Sequence, residues 1–362
     1  MRQVKSLILL LLIGVIPLNK VFAQKMNRNI DKIIQAEFKD KNGPGGVFMV
    51  AKNGKPIYQK SFGKANIELD VNLTNDFIFQ IGSMTKQFTA IAILMLEEQG
   101  KLSTNDTIIK YIPDYPNGDK ITIHHLLTHT SGIKDFTKMK SLREIAQKEM
   151  TPKMMVDFFK NEVVDFAPGE KFDYNNSGYV LLGYILELVS GETYEDFIEK
   201  HIFQKLGMNQ SSYATDRQIV INRAYGYQKK ESGYVNRTVI NFSVPFSSGS
   251  LMSTLNDMLK WQDALNKNML LKAENSQKAF QKKYNLNNGE DFSYGYGWHI
   301  REMNGVTSRE HGGSIFGYKS IGVYIPSENI YVIGFSNCDC NSPTQVTLDI
   351  AKLVLETLSK KK

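Results

Sequence analysis

Cysteine is almost absent from this chain: two of 362 residues, Cys338 and Cys340, with one residue between them. A bridge between them would close a very tight ring, so no disulfide framework holds distant segments together. Free thiols and a strained local bridge both stay open. Internal repeats and low-complexity stretches are missing too. There is no basic stripe with interleaved aromatics, so no nucleic-acid role is assigned. A Gly-x-Ser-x-Gly elbow is lacking, which disfavours an α/β-hydrolase. His125 and His129 stand at i and i+4, but neither a third ligand nor a His-Glu-x-x-His glutamate accompanies them, and no metal or other cofactor is expected.

What is present is an ordinary globular composition, 42% hydrophobic and 22% charged, enough for one large domain or two modest ones. The N-terminus stands apart. "MRQVKSLILLLLIGVIPLNKVFAQ" has a basic start at Arg2 and Lys5, an apolar run from Leu7 to Leu18, and Val21-Phe22-Ala23 before Gln24. These are the three regions of a secretory signal over residues 1–23, and the run is short for a membrane span of about 20 residues. No cysteine follows to carry a lipid, so no stable membrane anchor is expected after cleavage. The protein is expected in the periplasm or secreted. Of the formal charge of +7, Arg2, Lys5 and Lys20 supply three, which leaves the mature chain near +4.

Patterning places helices in the middle and strands towards both ends. "NIDKIIQAEFKDKN" has helical periodicity, and "GGVFMVAKNGKPIYQKSFGKAN" sets two β-rich runs around the Asn53-Gly54 hairpin signal. From about Asp106 to Tyr213 the pattern reads as mostly helical, including "TIHHLLTHTSGI" and "SGYVLLGYILELVSG". Strand patterns return in "SYGYGWHIREMN", "YKSIGVYIP" and "NIYVIGFSN", and an amphipathic helix closes the chain. The expected fold is α+β, an antiparallel sheet flanked by helices. Its expected division is a sheet unit, 24–105 with 240–362, and a helical insertion, 106–239.

One stretch does not fit a purely structural reading. "QIGSMTKQFTAIAILMLEEQGKL" is a greasy helix that opens with Ser83 and Lys86 on one face. A buried lysine is costly unless something polar meets it. Ser-x-x-Lys by itself is weak, since it recurs at Ser61, Ser131 and Ser359. Only Ser83 opens a buried helix. Elsewhere, Tyr174-Asn175-Asn176 stands immediately before an apolar helix, and His311-Gly312-Gly313 is read at the head of a strand. Tyr294, Tyr296 and Trp298 alternate as sheet packing does.

These stretches, in this order and with "LLTHTSGI", "VSGETYEDFIEKHIFQKLGM" and "GSLMSTLNDMLKW", resemble the serine hydrolases that contain class C β-lactamases and penicillin-binding proteins. Relatives include D-alanyl-D-alanine carboxypeptidases, D-aminopeptidases and esterases. The resemblance implies a β-lactamase/transpeptidase-like fold and an acyl-enzyme on Ser83. Lys86 would be the base or its partner, and Tyr174 the proton shuttle to the leaving group. Asn176 would orient Lys86 and the substrate, and His311, Gly313 and Ser314 would line the substrate strand. The N–H groups of Ser83 and Ser314 would form the oxyanion hole, each worth about 3 kcal/mol in the transition state.

The sequence departs from class C β-lactamases where they carry Lys-Thr-Gly and this chain has His311-Gly312-Gly313. A cation and a hydroxyl are lost together, and histidine restores charge only when protonated. Weak or no β-lactam hydrolysis is expected. The expected partners are small-molecule or peptide substrates, D-amino-acid peptides, amides or small esters, with peptidoglycan-derived fragments among the candidates. The rival expectation is a binder of β-lactams or cell-wall fragments that does not turn them over.

Overall fold

The computed structural model describes residues 24–215, 217–282, 284–285 and 292–359; the signal expected at 1–23 lies outside them. The first element, α1, covers 24–37. Strands β1 (Gly46–Lys52) and β2 (Lys55–Phe62) form the hairpin announced by Asn53-Gly54. Both turn residues have positive φ, 53° and 71°, as a two-residue type I′ turn demands.

Helix α2 (Thr85–Glu98) is apolar almost all round, and every residue from Thr85 to Leu96 is buried. Gly100, at φ 71°, follows its end. Helix α3 (Asn176–Ser190) is similarly enclosed and stops at a left-handed Gly191. The four-residue α4 (Phe246–Gly249) lies against both. The last third supplies β3 (Tyr284–Asn285), β4 (Phe292–Tyr294), β5 (His299–Met303), β6 (Val306–Ile315), β7 (Tyr318–Ile325) and β8 (Ile330–Ser336), then helix α5 (Pro343–Ser359).

The strands join in one eight-stranded sheet, ordered β3-β4-β5-β6-β7-β8-β1-β2. Its ladders are antiparallel. Strand β1 pairs with β8 from Gly46–Ser336 to Lys52–Ile330, so segments from both ends of the described chain build one sheet. Alternation sends side chains to two layers. One face packs Phe48, Val323 and Val332 with Ile30 and Ile34 of α1 and Ile350 and Val354 of α5. The other face carries Met49, Ile333 and Phe335 into the larger core with Phe88, Ile91 and Leu94 of α2. The α+β expectation is met.

One local reading in the middle of the chain needs correction. "TIHHLLTHTSGI" is helical only over Ile123–Leu127, and His129 then takes φ 59° and turns the chain through a buried polar loop. Beyond the segment read as helical lies a hairpin, Tyr227–Lys230 with Gly233–Asn236. Its first strand is held from outside: the Tyr227 N–H donates to the Asn337 carbonyl at 2.9 Å.

A second, three-stranded sheet sets Leu251–Ser253 between Phe79–Gln80 and Ser212–Tyr213, so the segment entering the Ser83 turn is tied to the segment leaving α4. Phe79 is fully buried and its ring lies 5.6 Å from that of Phe335 in β8. Replacing Phe335 by alanine opens a cavity at this junction. A loss of about 3–5 kcal/mol in urea unfolding is expected.

Candidate active site

Ser83 sits in a 3-10 turn, Gly82–Met84, just before α2. Strand β5 pairs with β6 only as far as Glu310, so beyond that residue β6 has a free edge on this side. The Ser83 turn packs there. A Cβ on Gly82 would come 3.0 Å from the Ser314 nitrogen, and one on Gly313 would come 2.0 Å from the Ile81 carbonyl oxygen. The Ser320 hydroxyl of β7 donates to that same carbonyl at 2.7 Å. The Phe316-Gly317 turn closes on the Ile315–Tyr318 pair, which makes Ser314–Lys319 the non-hydrogen-bonded pair. The Ser314 N–H therefore points out of the sheet edge, on the side of the Ser83 turn.

Lys86 lies on the same face of the helix and is fully buried. Its Nζ is 3.2 Å from Ser83 Oγ, 2.8 Å from Asn176 Oδ1 and 2.9 Å from the Ser248 carbonyl oxygen. The rings of Tyr174 and Tyr179 lie 4.9 and 5.4 Å away. Burial lowers its pKa to about 7, against a smaller opposing pull from Asp135. A neutral amine is thus accessible at ordinary pH, within reach of the Ser83 hydroxyl.

The start of α3 assigns three consecutive polar residues to three tasks. Asn175 caps the helix by accepting the Gly178 N–H at 2.8 Å. Asn176 turns to Lys86. The Ser177 hydroxyl donates to the Lys134 carbonyl at 2.7 Å and accepts the Phe136 N–H at 2.8 Å. That stitching sets Asp135 beside Asn176, whose Nδ2 is 3.2 Å from Asp135 Oδ2. The Tyr174 hydroxyl is buried without a well-formed hydrogen bond. Burial pushes this phenol far above its usual range, with the Ser83 hydroxyl acting weakly the other way.

His311 lies just past the middle of β6 rather than at the head of a strand, because the strand begins earlier, in its pairing with β5. Its Nδ1 donates to the Gly312 carbonyl at 2.6 Å, which leaves Nε2 to accept from the Tyr294 hydroxyl at 3.1 Å. Burial above all, then His299 and Lys86, holds it well below the usual imidazole range. The partial positive charge considered from sequence is therefore not available near neutrality. His125 and His129 serve different N–H groups, those of Thr122 and Asn175, at 3.3 and 3.0 Å. Cys338 and Cys340 form the local bridge. Ser83, Tyr174, Asn176, His311, Gly313 and Ser314 all line one cavity of about 780 Å³, with Lys86 directly behind its wall.

Residues 30–355 match the family described as Beta-lactamase. The chain belongs to the beta-lactamase family. Penicillin-binding protein 4* of Bacillus subtilis (strain 168) is 31% identical over 320 residues, 82% of this chain and 69% of its own. The octameric penicillin-binding protein homologue from Pyrococcus abyssi superposes with a TM-score of 0.82 at 30% identity, covering 91% of this chain and 77% of its own. D-amino acid amidase from Ochrobactrum anthropi SV3, solved with L-phenylalanine amide, shares the fold with a TM-score of 0.80 at 24% identity, over 93% of this chain and 99% of its own.

Within the beta-lactamase family the chain is a serine hydrolase with the β-lactamase/transpeptidase fold. The sequence reading missed three contributors to the site. Asp135 lies two residues beyond the quoted "LLTHTSGI", Ser248 acts through its carbonyl, and Ser320 acts from a neighbouring strand. Only the acidic side chain of Asp135 could have drawn notice in a one-dimensional reading. The close approach at Gly313 gives a direct check. A methyl there overlaps the Ile81 carbonyl, so Gly313→Ala is expected to cost about 1–3 kcal/mol, read as a lower melting temperature.

Proposed function

We propose that this is an exported serine hydrolase that acts through a Ser83 acyl-enzyme on D-amino-acid peptides, amides or small esters. The observation that carries the reading is the contact of a buried, near-neutral Lys86 amine with the Ser83 hydroxyl. Lys86 removes the hydroxyl proton as Ser83 Oγ bonds to the substrate carbonyl carbon. The resulting oxyanion is met by the N–H groups of Ser83 and Ser314. Tyr174, held protonated by burial, gives its proton to the departing nitrogen or oxygen as that bond breaks, and the Lys86 ammonium restores it. Water then attacks the ester carbonyl and loses a proton to Lys86, which returns it to Ser83 Oγ as the acyl–oxygen bond breaks, releasing the acid and the Ser83 hydroxyl.

Asn176 orients Lys86, while His311 and Gly313 shape the strand edge beside the scissile bond. The cavity lies where the sheet unit, 24–105 with 240–362, meets the helical insertion, 106–239. The sequence of residues 1–23 and the penicillin-binding relatives support a periplasmic or secreted location after signal cleavage. A neutral His311 beside Gly312 supports weak or no β-lactam hydrolysis, since neither side chain supplies the cation or hydroxyl of Lys-Thr-Gly. The same departure is what favours the rival reading of a binder without turnover.

Intact-mass measurement after exposure to a p-nitrophenyl ester, a D-alanyl-D-alanine peptide and a cephalosporin is expected to reveal an acyl adduct that maps to Ser83. No adduct with any of the three overturns the acyl-enzyme. Steady turnover that is lost in Ser83→Ala eliminates the binder.

Lys319 lines the same cavity, opposite Ser314 across the β6–β7 pair. A cation there suits a substrate with a free carboxylate, which a D-peptide has and a simple ester lacks. Lys319→Gln is expected to raise KM for the D-alanyl-D-alanine peptide about 10-fold, the size of one charge-assisted hydrogen bond, and to leave ester KM unchanged.

A further inference from the structure

Asp135 is 2% exposed, yet no lysine or arginine forms an ion pair with it among the described residues. Its neighbours in the loop, Lys134 and Lys138, turn outward to Asp165 and Asp173, at 2.8 and 2.9 Å. What meets the carboxylate is neutral. Oδ1 accepts the Thr137 N–H and hydroxyl, each at 2.9 Å, and both oxygens face Asn176 Nδ2, at 3.2 and 3.5 Å. The other end of that amide, Oδ1, accepts from Lys86.

We propose that Asp135 is a positioning residue: its carboxylate fixes which end of the Asn176 amide meets Lys86 and places a buried negative charge near that lysine. An amide has one accepting end and one donating end. A carboxylate takes only the donating end, so Asn176 must present its oxygen to Lys86. With an uncharged partner at 135 the amide can turn over and offer N–H to the amine, which opposes the ammonium.

The remaining titratable groups around Lys86 are Tyr174, Tyr179, His129 and His311. Burial keeps both tyrosines protonated and both histidines neutral. Asp135 is thus the group on this side of the site that favours the charged form of Lys86. A cap on the short turn Phe136–Lys138 is the plainer role for it, and the two roles separate by pH dependence.

The proposal rests on Ser83 and Lys86 being nucleophile and base, and wild-type hydrolysis of a p-nitrophenyl ester tests that first. Absence of Ser83-dependent hydrolysis and acylation sinks the mechanism, and Asp135 with it. In the active wild type, kcat/KM should rise with pH through a limb near 7, as Lys86 loses its proton.

Asp135→Asn is expected to move that limb down by roughly one pH unit and to lower the plateau in kcat more than it raises KM. Asp135→Glu, which keeps the charge, should stay close to wild type in the limb. The exchange Asp135→Asn with Asn176→Asp sets the carboxylate directly beside Lys86, and the limb should move above the wild-type value. That doubly substituted protein also carries the test if Asp135→Asn alone does not fold, since it retains one carboxylate in the network. A folded Asp135→Asn protein with an unmoved limb, or an exchange protein with an unmoved limb, overturns the assignment and leaves Asp135 as a cap.

Discussion

An amine shielded from water, with no carboxylate in contact, is the constraint around which this molecule is arranged. Lowering Lys86 from its ordinary value to about 7 corresponds to roughly 5 kcal/mol of lost preference for the charged form. The sign follows from proton binding. Below pH 7 the unfolded chain and the folded chain both hold the proton, and the full penalty opposes folding. As pH rises from 7 toward the unfolded value, the unfolded chain releases its proton as well, and the penalty fades. Such a residue persists because the rest of the core is large and because its polar atom is not abandoned. The Ser248 carbonyl and the Asn176 oxygen accept from it, and two aromatic faces sit alongside. Those groups come from α4, α3 and the loop before α3, so the three segments must dock on α2 in one arrangement.

Behind Lys86 lies a layer of histidines and tyrosines whose protonation is pinned. His129 contacts the rings of Tyr174, Tyr179 and Tyr294, and His311 is hydrogen-bonded to Tyr294. All are buried, so the imidazoles stay neutral and the phenols stay protonated. This layer supplies low dielectric without adding a second group that titrates near neutrality. In the mechanism we propose, the proton chemistry around Ser83 is thereby concentrated in Lys86, with Tyr174 as a donor and not a resting base. A tyrosine exposed to water could not be held so firmly in its protonated form.

What the sequence announced and what it concealed divide along physical lines. Asn53-Gly54 was legible because both residues tolerate positive φ, and that requirement is local. The Ser83 helix was legible because its apolar period is local too. Tyr174, Asn176, His311 and Ser314 came from the resemblance to serine hydrolases, and the fold brings them to one cavity. Asp135 offered the sequence no more than an acidic side chain, because the part we propose for it is defined by Asn176, 41 residues away. The neutrality of His311 depends on burial and on the Tyr294 hydroxyl, neither of which a histidine codon signals. The hairpin at 227–236 is rich in lysine and tyrosine and takes its order from Asn337 and Asp339, more than a hundred residues later.

The positions that define the attack geometry we propose are backbone positions, so substrate preference can change without altering them. Gly82 and Gly313 let two chain segments approach so closely that side chains are excluded between them. The Ser314 N–H then takes its direction from strand pairing rather than from any rotamer. The cavity walls are built differently. Leu142 belongs to a short helix, Ile240 to a loop, Phe316 to a hairpin tip, and Asp339 to the loop closed by the Cys338–Cys340 bridge. Each can change in size or charge without moving the Ser83 turn. A fold organised in this way can keep one acyl-transfer centre while relatives differ in the molecules they accept, because the parts that do the chemistry and the parts that choose the substrate are held by different interactions.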